Sequence, residues 1–153
     1  MKIVKITLLV LVLIAVAKIL LGIIPGNITN NKQVLTIGTQ TLTIDVVDTP
    51  AERERGLSGR KELCWECGMF FIFENKQIYT FWMPEMYFDI DIIWISDIKV
   101  VDITYGAKKP DPANFENPKE IYRPKVPIDK VLEVNSGWVK EKGIEVGDEI
   151  KYR

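Results

Sequence analysis

Two hydrophobic patterns divide the chain. From Ile6 to Ile24 the sequence reads ITLLVLVLIAVAKILLGII, predominantly apolar and broken by one charge, Lys18. About 20 residues at ~1.5 Å rise cross a ~30 Å hydrocarbon core. The pattern predicts an N-terminal transmembrane helix within residues 1–24. Lys2 and Lys5 precede the run, which sets the N-terminus in the cytoplasm and the C-terminal domain outside. Lys18 lies near the outer end, where its ammonium reaches the interface. Ala15-Val16-Ala17 has the small-x-small form of a signal cleavage site, but the apolar run resumes at Ile19, where a cleaved leader would turn polar. An uncleaved anchor in a single-pass cell-membrane protein is the expectation.

Residues 25–33, PGNITNNKQ, are polar and read as a tether. From residue 34 the pattern has a period of two. Val34 to Ile37 and Thr41 to Val47 flank Gly38-Thr39-Gln40, and Leu42, Ile44 and Val46 alternate with polar neighbours, as in a hairpin with one buried face. Asp48-Thr49-Pro50 then starts a short helix, with Asp48 or Thr49 as cap and Pro50 in the first turn. Further strands are expected at 69–73, 79–83, 90–95, 100–105, 131–134 and 149–152. Ser96 to Lys99 is expected as a four-residue hairpin loop. Trp138 to Lys142 predicts one helical turn ending at Gly143. Seven or eight short strands with one or two short helices predict a mainly β domain over 34–153, barrel-like or a sandwich. Residues 106–130 hold five prolines and no strand pattern, and read as a stiffened surface loop.

Charge narrows the partners. Four of the 20 basic residues precede residue 34 and none of the 21 acidic ones does, so the domain is acidic by about five charges. An acidic surface repels phosphate backbones, and nucleic acid is not an expected partner. The chain has no histidine. That removes the commonest general base and metal ligand, and with it any Ser-His-Asp or Cys-His site. No cofactor and no metal are expected.

An ordered series of motifs carries a resemblance: Glu52-Arg53-x-Arg55-Gly56-Leu57, Gly68-Met69-Phe70-Phe71-Ile72-Phe73, Phe81-Trp82-Met83, Ile90-Asp91-Ile92-Ile93-Trp94, Val131 to Trp138, and Gly143-Ile144-x-x-Gly147-Asp148. The series resembles the uncharacterised DUF192 family over about residues 34–153. The resemblance implies a compact, mostly β domain, often exported, and no established reaction. Many members follow the Trp-Met pair with Lys-Asn-Thr, where this chain has Pro84-Glu85-Met86.

The candidate ligand-binding residues are Arg55, Trp82, Asp91 and Glu133. Asp91 interrupts an apolar strand and needs a partner; Arg55, in the short helix, is the expected one, as an ion pair or else as an anion clamp. Glu133 within Leu132-Glu133-Val134 is a second candidate acid, although alternation can place it on the wet face. Trp82, Trp94, Trp138, Phe71 and Phe81 supply core, with a subset lining a groove. Cys64 and Cys67, on the oxidising side, are expected as a disulfide that stiffens the turn before the Met69 strand. Acidic Glu62 and Glu66 flank them, the reverse of what a reactive thiolate needs. The leading reading is a membrane-anchored extracytoplasmic domain that binds a small ligand, a peptide or an envelope protein. The alternatives are an envelope hydrolase using Asp91, Glu133 and Arg55, and a thiol-redox protein using Cys64 and Cys67.

Overall fold

The computed structural model describes residues 32–152. The expected anchor over 1–24, and the tether as far as residue 31, lie outside them. Among the described residues no helix is long and apolar enough to cross a membrane.

The elements run β1 (Lys32–Ile37), β2 (Gln40–Val47), α1 (Pro50–Arg55), β3 (Cys67–Gln77), β4 (Ile90–Ser96), β5 (Lys99–Ala107), β6 (Ile128–Asn135), α2 (Trp138–Lys142) and β7 (Ile150–Tyr152), with a 3-10 turn at Pro112–Asn114. The seven strands form one sheet in the order β5-β4-β6-β3-β2-β1-β7. All neighbours are antiparallel except β2 and β3, which α1 and the following loop join in parallel. The sheet curls until its outer strands approach. Val100 N–H donates to Asp148 O at 2.9 Å and Ile150 N–H to Ile98 O at 2.8 Å, beside a Lys99–Glu149 bridge. The result is a curled half-barrel, mainly β, with two short helices.

Local chemistry explains the helix starts. Thr49 caps α1: its hydroxyl accepts from Glu52 N–H, and the Glu52 carboxylate accepts from Thr49 N–H. This closes a capping box behind Pro50, whose missing donor costs nothing at that position. Gly68, at the start of β3, allows a close approach. A Cβ there would sit 2.8 Å from Leu132 Cδ1 and 3.0 Å from Glu133 O.

The sheet is covered on both faces. Inside the curl lies a first core of Leu35, Ile37, Ile44, Phe70, Ile93 and Leu132, closed by Trp138 and Val139 of α2. On the other face Met69, Phe71, Ile92, Trp94 and Val131 form a second core, roofed by Leu57, Met83 and Met86 from the loops. Central strands therefore have no wet side. In β6, Val131 through Val134 are all buried.

Four expectations need correction. Residues 79–83 are not a strand; Phe81 alone bridges Tyr122, with N–H···O distances of 2.9 and 2.8 Å. Tyr79 and Phe81 pack against Phe73 and Phe71 of β3 instead, while Trp82 stays half exposed. β3 continues past Phe73 through the polar Glu74-Asn75-Lys76, where its pairing with β6 shifts register. The β4–β5 hairpin turns on two residues, not four, because Ser96 pairs with Lys99 and Asp97 takes φ +56°. The Pro-rich segment packs against the second face: Pro110, Pro118 and Pro124 are buried.

Candidate site: an acid at the floor of an aromatic pocket

The register of β6 decides where its acid points. Side chains alternate along a strand, so Leu132 and Val134 face the first core while Val131 and Glu133 face the second. Glu133 pairs with Met69 on β3 and Ile92 on β4, so both cross-strand neighbours are apolar. The expectation that alternation can leave Glu133 wet fails, because loops cover that face as well. Glu133 is 5 % exposed. Among the described residues no donor lies within hydrogen-bond distance of its carboxyl. Burial raises its pKa from 4.5 to about 8. The acid is thus mostly protonated at neutral pH.

Glu133 lines a cavity of about 220 Å³. Phe71, Phe73, Tyr79, Phe81, Trp82 and Met83 form much of its wall. The rings hold one another edge to face: Phe71–Phe81 centroids are 5.3 Å apart, as are Phe81–Trp94. Trp82, 49 % exposed, stands at the mouth. Helix α1 brings Arg53, Glu54 and Arg55 to the rim. The Arg53 guanidinium lies over Phe73, 5.2 Å from its centroid, and donates to the carbonyls of Asp48 and Ile72. Arg55 is exposed and forms no ion pair among the described residues.

Three of the four sequence candidates, Arg55, Trp82 and Glu133, therefore line one pocket. Asp91 does not join them. It pairs with Val134, one position along β6 from Glu133, and so points to the opposite face. Its Oδ1 accepts from Gly106 N–H at 2.8 Å; its Oδ2 accepts from Gly137 N–H at 2.9 Å and Val139 N–H at 3.2 Å. These bonds cap α2 from outside, since Gly137 has no side chain for the task. The expected Arg55–Asp91 ion pair is not formed; backbone amides satisfy the carboxylate. The two acids of the hydrolase reading lie on opposite sides of a sheet, so they do not act on one substrate atom. Wall residues Phe73, Tyr79 and Met86 were not singled out from sequence. The density of aromatics over 70–82 was the available signal.

Cys64 and Cys67 are joined by a disulfide, with Cα atoms 5.1 Å apart. Its turn is docked on the sheet and on α2. Asn135 Nδ2 donates to the carbonyls of Leu63 and Cys64, both at 3.0 Å. Trp65 Nε1 donates to Glu141, and Lys142 pairs with Glu66 at 2.7 Å. This is the geometry of a clip ahead of β3. Among the described residues no three His, Cys, Asp or Glu gather as a metal site.

Fold and site define a small curled-sheet domain with an acid-floored aromatic pocket between one sheet face and its covering loops. The model of the DUF192 family, described as an uncharacterised ACR, matches residues 33–152, and the chain belongs to that family. It is similar to a crystal structure of a candidate transcription regulator from Sinorhizobium meliloti 1021, at 26 % identity and a TM-score of 0.74, covering 83 % of this chain and 98 % of that one. It is also similar to a protein of unknown function from Novosphingobium aromaticivorans DSM 12444, at 26 % identity and a TM-score of 0.71, covering 82 % and 89 % of the two chains. No curated protein matches the chain.

Proposed function

We propose that this DUF192 domain is a small-ligand receptor, carried on a membrane anchor and displayed outside the cytoplasm, with the pocket over Glu133 as its binding site. One observation carries the reading: a carboxyl with no protein donor lies at the floor of a cavity. Apolar surroundings disfavour its ionised form, its oxygens open only onto the cavity, and a hydrophobic residue there would carry no such cost. A ligand supplies the missing partner.

The apolar run over 6–24 and the lysines before it support the anchored, outward orientation. The disulfide supports an oxidising compartment. The acidic balance of the domain favours a partner other than nucleic acid, so the regulator name of the S. meliloti structure is not carried over. In the native envelope the binding partner is a small molecule or the side chain of an envelope protein.

The test is recovery of the ligand. The full chain and a Glu133→Leu variant are extracted from native membranes, and the small molecules released on denaturation are identified by mass spectrometry. A compound that travels with the wild type in near-equal amount and is lost from the variant is the expected result. Equal recovery from both proteins, or from neither, refutes the small-molecule reading.

A further inference from the structure

We propose that the pocket takes a small organic cation, an alkylammonium group whose N–H bonds end on the Glu133 carboxylate and whose carbon body lies among the Phe71, Phe81 and Trp82 rings. This rests on the binding role argued above and names the chemistry of the ligand.

Three features point the same way. First, the acid lacks a donor, and no charged group lining the cavity is paired with it among the described residues. Arg53 is spent on the carbonyls of Asp48 and Ile72 and on the Phe73 ring. Arg55 and Glu54 are exposed at the rim. The Tyr79 hydroxyl donates to Asn75 O at 2.8 Å. Its paired neighbours on β3 and β4 are Met69 and Ile92. None of these groups is within ion-pair or hydrogen-bond distance of the carboxyl. A neutral ligand pairs with the protonated carboxyl; a cation pairs with the carboxylate and compensates the charge that burial disfavours.

Second, the wall is aromatic. Ring quadrupoles attract cations, most strongly for Trp and in desolvated sites, and cages of such rings are a general solution for ammonium ligands. Third, the volume is small. A cavity of about 220 Å³ lies below the ~300–1,000 Å³ range of drug-sized sites. It holds an amine of a few carbons, or the end of a longer one.

The proton follows from charge balance. Unliganded, Glu133 keeps its proton up to about pH 8. Pairing with an ammonium requires the carboxylate, so each binding event below that pH releases one proton to solvent. Affinity therefore rises about tenfold per pH unit toward pH 8 and levels off above it.

The experiment titrates the full chain, in a mild nonionic detergent, with n-butylammonium chloride, n-butanol and sodium butyrate. These probes share a four-carbon body and differ in charge. The readout is the indole N–H signal of Trp82, assigned with Trp82→Phe, while the signals of the other three of four tryptophans report the fold. Butylammonium is expected to shift Trp82 saturably, at least tenfold more tightly than either counterpart at pH 8, with Kd rising about fivefold on going to pH 7. Glu133→Gln is expected to abolish the preference without moving the other indole signals. If butanol or butyrate binds as well as the amine, or the amine's Kd does not change with pH, the cation assignment is overturned and the binding role stands. If no probe shifts Trp82, both are overturned.

Discussion

Replacing Glu133 by Gln removes the ionisable group while keeping size and polarity, and its consequence for stability depends on pH in a way the structure specifies. In the unfolded chain the carboxyl titrates near its ordinary value of 4.5; folded, burial holds its proton up to about 8. Between those limits the folded state binds more protons than the unfolded one. Stability therefore falls as pH rises through this window, by about 1.4 kcal/mol per unit. The accumulated loss is about 3 kcal/mol at pH 7 and about 5 kcal/mol above pH 8. Glu133→Gln lacks this slope. Other carboxylates do not confuse the comparison. Glu52, lowered by its Thr49 hydrogen bond, and Glu66, lowered by Lys142, act in the opposite direction at lower pH and are common to both proteins. The assay is urea unfolding of the full chain followed by tryptophan fluorescence, from pH 4.5 to 8.5. All four tryptophans lie within the described domain. The stability difference between variant and wild type should grow steadily in favour of the variant across that range. Parallel curves would show that Glu133 ionises as a solvated acid, and would remove the basis of the proposed site.

Asp91→Ala should cost about 3 kcal/mol in the same unfolding assay, because three backbone amides lose their acceptor at about 1 kcal/mol each. Arg55→Ala should change stability by less than about 0.5 kcal/mol, as for an exposed side chain without a partner; a loss comparable to that of Asp91→Ala would revive the ion pair. Cys64→Ser should cost no more than about 2 kcal/mol, since the disulfide closes a very short loop, and thiol alkylation without reduction should label neither cysteine of the native protein. Glu85 holds φ +53°, a left-handed conformation that Asn adopts more readily. Glu85→Asn should therefore raise stability by about 0.5–1 kcal/mol, read as a shift of the urea midpoint.

Where the chain folds on local signals, the sequence was readable. The β1–β2 hairpin follows from alternating Leu42, Ile44 and Val46 around Gly38, and α1 from Thr49-Pro50 with Glu52 three positions beyond the cap. Gly143 does end α2. Legibility failed where partners are distant. Phe81 and Trp82 have strand-like composition, but a strand needs a neighbouring ladder, and only Tyr122 offers one bridge. Asp91 was correctly suspected of burial. Its partners, however, are backbone amides of Gly106, Gly137 and Val139, and a backbone donor leaves no mark in the sequence. Glu133 was read as a strand acid with a dry and a wet option. That choice assumes a sheet with one solvated face, whereas β6 is central and loops cover both its faces. The Pro-rich residues that help to cover it carry no periodicity from which their packing is foreseeable.

The contrast between the two buried acids is the argument for function at one and structure at the other. They occupy neighbouring strands, one register position apart, and differ in what surrounds them. Asp91 has three donors and closes the end of a helix, so its oxygens are satisfied by the fold that buries them. Its loss should damage the fold, and its presence requires nothing more. Glu133 has apolar neighbours on both flanking strands and no donor, so the fold gives its charge no partner and favours the protonated form by excluding water. Met or Leu at that position would complete the second core alongside Met69 and Val131. At neutral pH the acid costs about 3 kcal/mol, a sizeable share of the ~5–15 kcal/mol that separates folded from unfolded domains. Local rules of stability are broken in this way at sites that do something besides fold. The rest of the pocket agrees: aromatic rings surround the acid, and the mouth opens beside an exposed tryptophan. If Glu133→Leu proves both more stable than the wild type and unable to hold a ligand, the acid is retained for binding. If it proves less stable, the carboxyl has a structural partner, and the pocket must be read as core.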